Sequence, residues 1–209
     1  MNIASYNRIA DKWDSDRRKK PVDPCVEEFA AMLPAGAKVL DIGCGTGYPI
    51  DEYLSSMGFT VTGIDPAERM LEKATGLGLP NARFLHTDLF GFENEEKFDA
   101  AIAFDSIFHI PLERQRDIYP KVAGLLKDGA YFLFTHGRVT GSVQGTMYGE
   151  PFFYSALDGD ILKSCLSKAG FEIVRFVENY SDPVTGTRDL VVLAQRTLNK
   201  GKPMDIILR

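Results

Sequence analysis

The chain has 209 residues, 44% of them hydrophobic and 25% charged. These are the proportions of a folded globular protein with a sizeable core, and they set aside disordered, collagen-like and coiled-coil classes. A formal charge of −5 argues against a surface built to neutralise many phosphates, so no nucleic-acid partner is expected.

No apolar run reaches the length a spanning helix needs, and the N-terminus lacks the continuous hydrophobic segment of a signal peptide. The expectation is a soluble, cytoplasmic protein without a membrane partner, a monomer or homodimer. Cys25, Cys44 and Cys165 are widely spaced and form no CxxC pair, so neither a disulfide framework nor a zinc site is suggested. His86, His109 and His136 are too scattered for their spacing to imply a metal.

At the N-terminus, Tyr6, Ile9, Ala10 and Trp13 fall on one face of a helix, and that face requires a cover. The basic run "DRRKK", Asp16 to Lys20, reads as a solvated helix end. A second helix is expected over residues 22–33, stopped by "LPAG" before the strand "AKVLDI". "FTVTGID", "ARFLHTD" and "FDAAIAFDS" read as strands two, three and four, with a helix through "AERMLEKATGL" between two and three. "PLERQRDIYPKVAGLLKDG" reads as a helix that Pro120 kinks or restarts, and "AYFLFTH" as strand five. Residues 136–156 read as a long Gly-containing loop, lid-like over a site.

After the helix "LDGDILKSCLSKAG", the runs "FEIVRFVENY" and "TRDLVVLAQR" are joined only by "SDPVTG". That is too short for a helical crossover, so an antiparallel hairpin is expected. Short strands alternating with helices make an α/β doubly wound sheet with helices on both faces. With no internal repeat or linker, residues 1–209 are expected to form a single domain, with helices over 1–33 covering the site and a tail at 197–209.

The chemistry concentrates at "VLDIGCGTG". A strand ending in Asp41 feeds Gly43, Gly45 and Gly47 and then a helix expected near Thr46, which brings backbone N–H groups toward a ligand above the sheet. The spacing is GxGxG, not GxGxxG, and a carboxylate precedes it. That carboxylate would repel a dinucleotide pyrophosphate but suits the ammonium and sulfonium of S-adenosylmethionine. Asp65 ends the second strand, where a carboxylate accepts ribose hydroxyls, and Asp88 follows the third, placed for an adenine amino group with Leu89 or Phe90 beside the ring.

With "VLDIGCGTG", "VTGIDPAERMLEKA", "FLHTDLF", "FDAAIAFDSIFHIP" and "LLKDGAYFLFT" assembled, residues 4–196 resemble the class I S-adenosylmethionine-dependent methyltransferases of the small-molecule type. The resemblance implies a seven-stranded Rossmann-like sheet of order 3-2-1-4-5-7-6 with strand seven antiparallel. It also implies S-adenosyl-L-methionine as cofactor, a small-molecule methyl acceptor, and cofactor contacts from Asp41, Gly43, Gly45, Gly47, Asp65, Asp88 and Leu89. Phe104 at the end of strand four and Tyr6 on a first helix that closes over the cofactor join that set.

His109 and His136, at the ends of strands four and five, are the candidate catalytic groups, each able to orient or deprotonate an acceptor. Trp13, Asp105, Tyr148 and Tyr154 are the candidate acceptor contacts, while Phe152 and Phe153 are expected to pack the loop onto the sheet. Two other readings use the same motifs: a regulatory protein that binds the cofactor or its demethylated product without turnover, and a nicotinamide-dependent oxidoreductase, which the GxGxG spacing and Asp41 disfavour.

Overall fold

The computed structural model describes residues 1–197, so the expected tail lies, past Thr197, outside the described residues. The helices are α1 (Asn2–Arg17), α2 (Pro24–Ala31), α3 (Ile50–Ser56), α4 (Glu68–Gly76), α5 (Ile118–Leu125) and α6 (Gly159–Lys168). The strands are β1 (Lys38–Ile42), β2 (Thr60–Asp65), β3 (Ala82–His86), β4 (Phe98–Ala103), β5 (Leu126–His136), β6 (Gly141–Met147), β7 (Glu150–Ala156), β8 (Phe171–Asp182) and β9 (Gly186–Arg196).

Seven strands form one sheet in the order β3-β2-β1-β4-β5-β9-β8, with β9 antiparallel to both of its neighbours. This is the expected topology, with β8 and β9 in the places of strands six and seven. Along the inner strands alternate residues face opposite layers. Val39, Val61, Ile102 and Leu133 pack with Val26 and Phe29 of α2 and Leu54 of α3. Leu40, Ile64, Phe132 and Phe134 pack with α5 and α6 through Tyr119, Val122, Leu162 and Leu166. Fully burying a side chain of this kind contributes roughly 1.5–3 kcal/mol, so the two layers fix the sheet between them.

Two expectations are corrected. The segment after His136 is not an irregular loop: β6 and β7 pair as a separate antiparallel hairpin. Its turn places Tyr148 at φ 52° and Gly149 at φ 82°, the two consecutive positive values that a tight two-residue hairpin needs. Phe152 of β7 is fully buried against Ile9, Ala10, Ala67 and Met70, so the hairpin is the cover the apolar face of α1 requires. The helix expected near Thr46 begins only at Ile50, because the chain completes a turn through Pro49 first.

Pro120 lies in the first turn of α5, after a 3-10 helix over Leu112–Asp117, so the helix does restart there. α1 is tied down by polar contacts as well as packing. Asn7 Oδ1 accepts from Arg69 N (3.0 Å), capping α4, whose own Ala67 has no capping side chain. Lys73 pairs with Asp11 (2.6 Å), Arg8 with Glu150 (2.6 Å), and Ser5 Oγ donates to Pro151 O (2.7 Å). No helix among the described residues is long and apolar enough to cross a membrane.

Candidate functional site

The carboxyl ends of β1, β2, β3 and β4 open into a cavity of about 440 Å³ that α1 covers with Tyr6 and Trp13. Strand order reverses between β1 and β4, and the crevice at such a switch point is where open α/β sheets bind ligands.

The glycine turn forms the cavity floor. Gly43 has φ 80°, and a Cβ there would stand 2.4 Å from Ser106 Cβ, so no side chain fits. Gly43 N and Cys44 N donate to Ile64 O (2.8 and 3.1 Å), Gly45 N to Asp65 Oδ2 (3.0 Å), and Gly47 N to Cys44 O (3.0 Å). These N–H groups therefore brace the turn against β2 and are not open donors, which corrects the sequence expectation. Thr46 is buried on the cavity wall, and its Oγ1 has no partner among the described residues. Gly47 does not line the cavity; a Cβ there would press on Leu77, Ala74 and Phe84.

Asp41 and Asp51 are both buried, and neither Asp51 oxygen has a hydrogen-bond partner among the described residues, so protonation is what relieves the like charges there. Burial raises both carboxyls, with Asp65 adding repulsion at Asp41, and no lysine or arginine offsets them. This end of the cavity is acidic and uncompensated.

Asp65 ends β2 with each oxygen held by one backbone donor, Oδ1 by Ala67 N (2.7 Å) and Oδ2 by Gly45 N (3.0 Å). A carboxylate oxygen has two acceptor directions, so each retains one. Burial pushes this carboxyl up to about 6, against the opposing backbone hydrogen bonds. Beyond it Asp88 Oδ1 accepts from Phe90 N (2.9 Å) and Gly91 N (2.8 Å), which leaves Oδ2 for a ligand beside Leu89 and Phe90. Arg114 lies over the Phe90 ring at 3.8 Å. A pair of fixed acceptors followed by an acceptor beside apolar side chains fits a ribose and an adenine in that order.

The opposite end is built by Phe104, Asp105 and His109 after β4, with Tyr6 and Trp13 above. Asp105 adopts φ 56°, strained for a residue with a side chain, and is over-determined by its partners. Its N–H donates to Thr135 Oγ1 (2.7 Å), and its carboxylate accepts two hydrogen bonds from Arg188 (3.0 and 3.1 Å). Arg188 also lies over the Phe104 ring at 4.3 Å.

His109 Nε2 meets Tyr6 Oη (2.8 Å), while Nδ1 meets Asn2 Nδ2 (2.7 Å) and Phe153 O (2.9 Å). Both ring nitrogens are engaged within the protein, and burial holds the imidazole below the ordinary histidine value, hence neutral at pH 7. His109 thus positions the Tyr6 hydroxyl, whose own ionisation burial suppresses.

Besides Gly47, three expected residues lie elsewhere. His136 is buried behind the cavity, with Nδ1 on Gly137 O (2.7 Å) and Nε2 on Gln115 Oε1 (3.1 Å), because the end of β5 turns into the core. Tyr154 packs on the His109 ring at 5.0 Å and does not reach the cavity wall. Tyr148 sits at the hairpin turn, donates to Asp16 Oδ2 (2.9 Å) and lines a second cavity. Sequence reasoning passed over Asp51, Asn2, Arg188 and Arg17. Arg188 stands ahead of the apolar run of β9 and Asp51 in the first turn of α3, where a charged residue gives no sequence signal; Arg17 reads with its basic neighbours as solvated but turns inward over Trp13 at 4.2 Å.

Fold and cavity together define an α/β protein whose switch-point cavity has the shape and acceptors that fit an adenosine-like ligand. Residues 39–129 match the family described as "Methyltransferase domain". A ubiquinone biosynthesis O-methyltransferase of Xanthomonas axonopodis pv. citri is 30% identical over 151 residues, which are 67% of this chain and 62% of that protein. The chain thus spans less than two thirds of that relative's length. A S-adenosylmethionine-dependent methyltransferase structure from Methanosarcina mazei aligns with TM-score 0.70 at 24% identity, over 85% of this chain and 99% of that one. The Burkholderia thailandensis 1,6-didemethyltoxoflavin-N1-methyltransferase, solved with 1,6-didemethyltoxoflavin and S-adenosylhomocysteine, aligns with TM-score 0.69 at 20% identity over 94% and 85%. Residues 39–129 thus match a methyltransferase domain, and the fold around them is the one seen in S-adenosylmethionine-dependent methyltransferase structures.

Proposed function

We propose that the cavity binds S-adenosylmethionine and that the protein transfers its methyl group to a small-molecule acceptor. The observation that carries this reading is Asp65, a buried carboxylate at a strand end with one open acceptor direction on each oxygen, facing the cavity. Asp65 takes the ribose hydroxyls, Asp88 and Leu89 the adenine, and the acidic end at Asp41 with Thr46 takes the cationic amino-acid portion, with Asp51 buried behind it. Phe104 and Tyr6 close the cavity where the sulfonium would lie.

When bound, the sulfonium presents an electrophilic methyl group with a good leaving group behind it. The protein's own contribution is alignment and exclusion of water, which can be worth roughly 7–11 kcal/mol. Asp105, locked by Arg188 and Thr135, fixes the wall on the acceptor side, and α1 with the β6–β7 hairpin covers the cavity. Tyr6, held by His109, presents the polar group nearest the transfer path. The acceptor nucleophile then approaches from the side of Trp13 and Asp105.

Asp65→Asn tests the assignment directly. Its amide keeps the size but loses half of the acceptor capacity, so calorimetric affinity for S-adenosylhomocysteine should fall about tenfold or more, with the fold retained by circular dichroism. Unchanged affinity would remove Asp65 from the site.

A further inference from the structure

Beside the main cavity lies a second one of about 340 Å³, between the end of α1 and the β8–β9 turn at Thr185–Thr187. The two share Trp13, Arg17 and Asp105 as a common wall. Its size lies within the range of small-molecule sites, and its lining is polar and charged.

The charges in it are unequally satisfied. Asp105 is already bound through both oxygens by Arg188, and Arg188 has Asp23 as a further partner at 2.9 Å. Asp16 pairs with Lys19 at 2.8 Å and accepts from Tyr148 at 2.9 Å. Arg17 is different. Its side chain is 24% exposed and its guanidinium stacks on Trp13, but its nearest carboxylate oxygen is 3.7 Å away on the occupied Asp105. It donates no side-chain hydrogen bond to another described residue. Lys20, one turn on, is exposed into the same cavity with no ion pair among the described residues. A largely buried guanidinium whose donors are idle gains most from a planar oxyanion, which it can take through two parallel hydrogen bonds.

We infer that the methyl acceptor is an acid whose carboxylate or phosphate docks on Arg17 and Lys20 in this second cavity, while its reacting end passes Trp13 into the first. The inference rests on the methyltransferase reading for the identity of the ligand as acceptor. The anion site itself does not depend on it. In this arrangement Arg17 selects the substrate class, Trp13 is the platform between the two cavities, and Asp105 repels an acid that enters in the opposite orientation.

Trp13 is the chain's one tryptophan, so its fluorescence reports on this site. Sodium benzoate and inorganic phosphate are titrated separately into the full chain, with sodium chloride at matched ionic strength as the reference. The expected result is a saturable change with at least one of the two, and the effective anion tells carboxylate from phosphate. In R17Q the affinity falls about ten- to a hundredfold, R17K retains part of it, and K19Q, outside the cavity, behaves as wild type. Calorimetry repeats the series, since Arg17 touches the reporter. If R17Q fails to melt cooperatively, K20Q replaces it with a smaller expected loss. No saturable change with either anion, or equal affinity in the Arg17 and Lys20 variants, overturns the inference. S-adenosylhomocysteine binding, measured in the same preparations, separates the two proposals: binding retained without an anion site sinks only this one, while its absence in wild type sinks the methyltransferase reading.

Discussion

The Asp41–Asp51 pair is the least satisfied part of the molecule, because two buried acids face each other without a cation. Both are raised in the folded state above an unfolded value of about 3.9, so their stabilising protonated form is fully present below that pH and is lost as pH rises. In Asp51→Asn one of the two titrations disappears, and with it the repulsion between the two carboxylates. The stability of this variant relative to wild type should therefore increase with pH from 4 to 8, by up to about 1.4 kcal/mol per unit. His109 and His136, which burial pulls the other way, are common to both proteins and cancel in the difference. Thermal melts would record about 2–4 °C per kcal/mol, and a pH-independent difference would exclude a raised Asp51 carboxyl. The residue scale was only partly legible in the sequence. Asp41, Asp65 and Asp88 were readable because strand ends and glycine spacing place them. Asp51 and Arg188 were not, since their roles come from partners at the turn and across the sheet. Arg17 was misread because its neighbours Arg18 and Lys19 do face solvent.

Among the elements, α1 and the β6–β7 hairpin form one cover. Phe152 packs on Ile9 and Ala10, and Asn2 bonds to both Phe153 and His109, so the helix, the hairpin and the turn after β4 meet at the cavity. Ligand contacts to Tyr6 and Trp13 should stabilise this cover as a unit. Backbone amide exchange across Asn2–Arg17 and Glu150–Ala156 should slow several-fold on saturation with S-adenosylhomocysteine, and unchanged exchange would mean that the cover does not touch the ligand. The helix was legible from its apolar spacing. The hairpin was not, because β6 carries three glycine or threonine positions in place of an alternating apolar pattern and its turn is set by Tyr148 in a conformation unusual for that residue.

Across the whole molecule, Arg188 at the start of β9 joins the N-terminus of α2 to the turn after β4. Asp23 caps α2 through Cys25 N (3.0 Å) and accepts from Arg188, Tyr180 (2.5 Å) and Thr185 (2.5 Å); these bonds outweigh burial and leave its carboxyl lowered. Arg188→Ala would strand two carboxylates, Asp23 among them only 5% exposed, and should cost about 3–5 kcal/mol in denaturant unfolding. A loss under about 1 kcal/mol would show that solvent already screens the triad. The sheet order was legible because alternating strands and helices and the short "SDPVTG" connection leave few topologies open. That frame brings three acidic strand ends around one cavity, which is the basis of the functional reading. The most direct test is calorimetric titration of the wild-type protein with S-adenosylmethionine, S-adenosylhomocysteine and NADH. Saturable one-to-one binding of the two adenosyl compounds, with none of NADH, is the expected result; folded protein that binds neither adenosyl compound would contradict it.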